Sequence, residues 1–224
     1  MTIARVAWTI AVKDLRVELR SRSTMGTVVP FAATMLIAFG FALGPGRTLL
    51  LQTAPGLLWL AALFAAVELF HRSYLSESDG DALEALLLAP VDKGAIYLGK
   101  AAAAAVQLML LLCTTAIMVV VLFGLPFGDR PALLLLTFVL GVVGLTAVGS
   151  LLGLLAVLGR TRRAAVPVLV LPLLSPVVIA AIRSTDLLTG GGGREVSGWL
   201  ALLVAFDAIF LASGFLVFGH LLED

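Results

Sequence analysis

The chain has 224 residues, of which 61% are hydrophobic and 13% charged, with a net charge of +1. That composition excludes an ordinary water-soluble globular domain and offers no basic footprint for nucleic acid. A single cysteine, Cys113, excludes an intrachain disulfide and any CxxCH haem-attachment motif.

The first 22 residues precede any long apolar run and carry Arg5, Lys13, Arg16 and Arg20 on one arc of a helix with 100° per residue. Ile3, Val6, Ala7, Ile10 and Val17 fall on a different side. Residues 2–22 therefore read as an amphipathic helix lying on the membrane surface, held by apolar burial and anionic lipid. Asp14 and Glu18 sit off the basic arc one turn apart, and either face protein or form a solvated pair. No apolar core precedes these charges and no small-residue cleavage site follows, so the start is not expected to be a cleaved signal.

Long stretches free of Asp, Glu, Lys and Arg then follow: Ser23–Gly46, Thr48–Val67, Ala101–Gly128, Pro131–Gly159 and Ala164–Ile182; Val196–Leu222 contains only Asp207. Crossing about 30 Å of hydrocarbon takes ~20 apolar helical residues. The runs are continuous rather than alternating, which excludes a β-barrel. The expected fold is all-α: a polytopic membrane protein with six transmembrane helices and an N-terminal interfacial helix, forming one domain over residues 1–224. The spans are expected at about Met25–Leu43, Ala54–Phe70, Ala101–Phe123, Ala132–Leu158, Ala164–Ile182 and Gly198–His220. With the N-terminus inside, eleven of the fifteen Lys and Arg residues lie in inner segments, which places both termini in the cytoplasm.

Between spans two and three, residues 71–100 read as the longest inner loop, with carboxylates at Glu77, Asp79, Asp81, Glu84 and Asp92. Gly80 and Asp81 mark a turn and an N-cap, Leu83, Leu86 and Leu87 recur at helical spacing, and Pro90 ends the segment. A short amphipathic helix is expected there. Span four carries Gly141, Gly144, Gly149 and Gly153 at spacings that do not share one face; Gly149 and Gly153 form GxxxG, suited to packing within the subunit or to a subunit interface. Pro167, Pro172 and Pro176 should kink or break span five.

Much chemistry is missing from the sequence. Gly94–Ala101 fits GxxxxGK, but Ala101 stands where a P-loop needs Ser or Thr and no strand precedes it. Any ATP is expected to be hydrolysed by a partner, and the chain itself is not expected to be an enzyme. The two histidines, His71 and His220, lie near inner span ends, so no metal cluster, intramembrane protease base or outward haem ligand can be assembled. The intramembrane carboxylates are Glu68, read as snorkelling or pairing with Arg72, and Asp207, which serves either a helix-packing hydrogen bond or function. A carboxylate at mid-membrane costs about 2.5–3.5 kcal/mol if left ionised, so Asp207 should not face lipid.

KDLRVELRSRS before span one, RSYLSESDGDALEALLLAPVDKGAIYLGK between spans two and three, VLPLLSPVVI in span five and FDAIFLASGFLVFGHLLED at the end resemble CcmB. That family, also called haem exporter protein B, forms the membrane subunit of the ABC-type complex of cytochrome c maturation. The resemblance runs in order over nearly the whole chain and is most specific in 71–100 and in Pro172 and Pro176. It implies a homodimer in the bacterial inner membrane on the ATPase subunit CcmA, with CcmC and CcmD nearby and the haem chaperone CcmE released after loading. No cofactor is assigned to the chain; haem is the candidate substrate, and ATP acts through the partner. On this reading Arg72, Glu77, Asp79, Gly80, Leu83, Glu84, Leu87 and Pro90 couple to the ATPase. Lys13, Asp14, Arg16, Glu18 and Arg20 belong to the interfacial helix, which with 71–100 forms the cytoplasmic contact surface. The alternatives are an exporter of another small molecule or lipid, and a non-transporting scaffold.

Overall fold

The computed structural model describes the backbone of residues 2–21, 23–78, 93–126, 128–158, 166–190 and 195–220. Among these residues there are seven helices and no strand: α1 (Ile3–Ser21), α2 (Ser23–Leu43), α3 (Arg47–Ser78), α4 (Lys93–Phe123), α5 (Pro131–Leu158), α6 (Val166–Thr189) and α7 (Val196–His220). The last six each contain a segment long and apolar enough to cross a bilayer, as the uncharged runs predict. Helix ends follow local chemistry. Gly44 and Gly124 close α2 and α4 at φ of 75° and 70°, in the left-handed region that glycine enters without a Cβ clash. Pro131 opens α5 at the first helical position, where its missing N–H leaves no bond unmade.

The helices form one bundle around α4 and α5. α5 packs against α3, α4, α6 and α7, while α4 touches α1, α2, α3, α5 and α7. α2 and α7 sit at the periphery and bury the smallest shares of their spans. Leu108, Leu111 and Leu112 of α4 and Leu145 and Val148 of α5 are fully enclosed.

Three expectations change. The segment between spans two and three is shorter than 71–100, because α3 continues through Ser78 and α4 already begins at Lys93. Nothing between Phe70 and Ser78 breaks a helix; the first turn signal is Gly80. Of the kink or break expected from the prolines of span five, the break does not occur, since α6 runs continuously from Val166 to Thr189. Pro167 lies in its first turn, where proline is tolerated. Pro176 leaves the carbonyl of Pro172 without its i+4 amide, and the Ser175 hydroxyl donates to that oxygen at 2.7 Å. Finally, the middle of the apolar side of α1 is covered by protein, while Ile3 and Val17 at its ends stay exposed. Val6, Ile10 and Ala11 are buried, and α1 packs along α4.

Candidate functional site

The start of α4 joins three other helices within two turns. Tyr97 is fully buried, and its hydroxyl lies 3.0 Å from the carbonyl of Ala147 in α5 and 3.3 Å from that of Phe210 in α7. One phenolic proton thus serves two helices. Its ring lies against Gly214 of α7, where a Cβ would collide with it. Three residues before Tyr97, Gly94 receives the ring of Phe215 from α7. Two residues after it, Gly99 admits α1: a Cβ there would stand 2.7 Å from the Ala7 carbonyl and 2.8 Å from the Ile10 Cβ. Lys100, its side chain only 3% exposed, points its Nζ at Asp14 of α1 across 3.8 Å; Lys13 closes on the same carboxylate at 3.0 Å. The α4 start is therefore in direct contact with α1, α5 and α7.

A second polar position lies near the middle of the bundle. Asp207 of α7 is 5% exposed, and neither carboxylate oxygen has a hydrogen-bond partner among the described residues. Its Oδ1 occupies the notch left by Gly144 of α5, 2.8 Å from where a Cβ would be, with Val177 of α6 against the same notch. Three helices thus meet at one carboxyl group. On α3, Trp59 is fully buried and donates its indole N–H to the Thr185 hydroxyl of α6 at 2.9 Å, while Thr185 donates to the Ala181 carbonyl. The same ring covers Gly141. The described residues contain no group of three metal-ligating side chains.

Comparison with known proteins places this architecture. The sequence matches the CcmB protein family over residues 5–223, a range that takes in all but the first two residues of α1 and the whole of the other six helices. The chain belongs to the CcmB family. It is 29% identical over 199 residues to heme exporter protein B of Pseudomonas aeruginosa, covering 89% of this chain and 88% of the relative. It is also 29% identical over 202 residues to the protein of that name from Rhodobacter capsulatus, covering 89% and 90%. The heme exporter protein B of Bradyrhizobium diazoefficiens is 28% identical over 202 residues, covering 90% of each chain. With six spans and relatives of matching length, this CcmB family member is a multi-pass bacterial membrane protein.

Within this CcmB chain the expected site residues divide between helix ends and the segment they flank. Arg72 and Glu77 lie on the last turns of α3 rather than in a loop. Asp79, Gly80, Leu83, Glu84, Leu87 and Pro90, with the short helix expected there, lie outside the described residues. The GxxxxGK residues form the first turns of α4, which is no phosphate-cradling loop. Arg16, Arg20 and Lys13 are exposed on α1, whereas Asp14 turns toward α4. Glu68 is half-buried in α3; the side chain of Arg72 is outside the described set. Gly149 faces Phe70 of α3, so this half of the GxxxG pair packs inside the subunit. Sequence reasoning missed Tyr97 and Trp59 and met Lys100 only as the lysine of GxxxxGK, although a tyrosine and a lysine beside an alanine-rich span start are the signal that could have marked Tyr97 and Lys100.

Proposed function

We propose that this chain is the membrane subunit of an ABC-type complex of cytochrome c biogenesis. ATP hydrolysis by a partner subunit would be coupled through it to haem export or to release of the haem-loaded chaperone. The names of its relatives support the haem assignment. The observation that carries the coupling is the start of α4, which follows the 79–92 segment directly and is tied to α5 and α7 by Tyr97 and to α1 by Lys100 and Gly99.

On this reading both termini and residues 79–92 are cytoplasmic, as the distribution of Lys and Arg favours. The ATPase subunit, CcmA, docks on the leucine face of Leu83 and Leu87, flanked by Arg72, Glu77, Asp79, Gly80, Glu84 and Pro90. Its nucleotide cycle pushes on α3 and α4, which bound that segment. A rigid α4 then displaces α5 and α7 through the shared Tyr97 proton, and Asp207 sits where those two helices meet α6. A homodimer of such subunits would match two ATPase copies, with CcmC, CcmD and the chaperone CcmE alongside.

Leu83→Asp combined with Leu87→Asp tests the docking step. The double variant is expected to insert normally in the membrane and to lose co-purification with the ATPase subunit in mild detergent. Undiminished co-purification would overturn the proposal that this segment carries the docking.

A further inference from the structure

α1 has three faces, and the structure accounts for only one of them. Val6, Ile10 and Ala11 are buried as the helix lies along α4, and Asp14 turns to Lys100 on that side. Away from α4, Trp8, Val12, Leu15 and Leu19 follow one another at i, i+4, i+7 and i+11, the spacing of a single helical stripe. The ends of that stripe are open, with Trp8 72% and Leu19 70% exposed. Beside it runs a basic stripe in which Arg5, Lys13, Arg16 and Arg20 are all exposed. The acidic residues of α1, Asp14 and Glu18, are on neither stripe and are both less exposed than these cations.

The depth of α1 follows from α4. Its 31 residues extend about 46 Å at 1.5 Å per residue, well beyond ~30 Å of hydrocarbon. The uncharged run of α4 begins only at Ala101, so the excess falls at its start, where Lys93 and Lys100 reach headgroup level and Gly99 and Lys100 hold α1. There a Trp and Leu stripe enters the boundary between headgroups and acyl chains, and the neighbouring guanidinium groups come level with phosphates.

We infer that the exposed face of α1 is a binding surface for anionic phospholipid headgroups, with Trp8 and Leu19 inserted beside them and Arg5, Arg16 and Arg20 as the phosphate-binding cations. Charge complementarity selects an anionic lipid over a zwitterionic one, and the open tryptophan selects lipid over water. The inference is independent of the coupling role proposed above.

Trp8 is also the reporter. The full chain and its Trp8→Phe variant would be placed in nanodiscs of phosphatidylcholine containing a minor fraction of brominated phosphatidylglycerol or brominated phosphatidylcholine. The difference between the two chains isolates the quenching of Trp8. The anionic brominated lipid should quench Trp8 at least about twofold more than the zwitterionic one, because cations at the surface enrich anionic lipid locally. R5Q/R16Q/R20Q should remove that excess, and R5K/R16K/R20K should keep it. Equal quenching by the two lipids overturns the inference, as does an excess that survives R5Q/R16Q/R20Q. Trp8 emission insensitive to both lipids also overturns it, because the face would then meet water or a protein partner instead.

Discussion

Tyr97 and Asp207 are polar side chains in the same bundle with opposite accounts. The Tyr97 hydroxyl is satisfied by two helix carbonyls, so Tyr97→Phe removes one shared hydrogen bond while leaving the ring in place against Gly214. Hydrogen bonds between membrane helices contribute about 0.6–1.7 kcal/mol. Tyr97→Phe should therefore lower stability by about 1 kcal/mol in a detergent-unfolding titration, whereas Tyr97→Ala, which empties a ring-sized space, should cost about 3–5 kcal/mol. A Phe variant as damaging as Ala would mean that the carbonyl contacts, not the ring, hold α4 to α5 and α7. Asp207 has no such partner among the described residues, and its place is shaped by Gly144. Asp207→Asn keeps size and should assemble and mature cytochrome c nearly normally if the residue serves packing; Asp207→Leu, which keeps the branch at Cγ but removes both hydrogen-bonding oxygens, should lose assembly. An Asn variant that assembles fully yet blocks maturation would instead assign the carboxyl group to a charge-dependent step. Gly144→Val should disrupt assembly on either account, since its Cβ alone would press on both Asp207 and Val177.

At the scale of elements, the α1–α4 pair joins a surface helix to a spanning one through a close backbone approach and an ion pair. The two ends of that pair are not equivalent. Lys100 is nearly sealed, while Asp14 is 18% exposed and has Lys13 beside it as a second cation. Removing one partner of a buried ion pair costs about 3–5 kcal/mol when the charge left behind is enclosed. Asp14→Ala should therefore destabilise the protein more than Lys100→Met does, as read by thermal unfolding in detergent; the reverse order would show that other contacts of Lys100 dominate. The existence and approximate limits of the six spans were legible in the sequence because uninterrupted apolar length is a property of the chain alone. The inward faces were not. Lipid and protein interior are equally apolar, so no periodicity separates Leu108, fully buried, from the exposed Leu110 on the same helix. For the same reason Val6 and Ile10 read as a lipid-facing surface although they pack on α4. Gly99, Gly144 and Gly149 could be recognised as small, but their partners in α1, α7 and α3 depend on how distant helices are arranged.

For the whole molecule, an even number of spans would place the two ends of the bundle's chain on one side, and the charge bias predicts which. With six spans, the sequence would assign Arg5, Lys13, Arg16, Arg20, Arg22, Arg72, Lys93, Lys100, Arg160, Arg162 and Arg163 to the side of the N-terminus, and Arg47, Arg130, Arg183 and Arg194 to the other. Lys and Arg near span ends resist translocation, so the richer side should be cytoplasmic. The helix limits sharpen the test. Ser78 closes α3 at the edge of the 79–92 segment, and Gly191 stands between α6 and α7 in the sequence, so six spans would put the two positions on opposite sides. Single cysteines at these two positions, in a Cys113→Ala background that removes the exposed thiol of α4, can be challenged with a membrane-impermeant maleimide on intact cells. Gly191→Cys should label from outside, and Ser78→Cys should label only after the cells are opened. The opposite pattern would invert the molecule and move the 79–92 segment away from ATP. The coupling role proposed for that segment and for the start of α4 would then fail, while the helix packing around Tyr97 and Asp207 would stand unchanged.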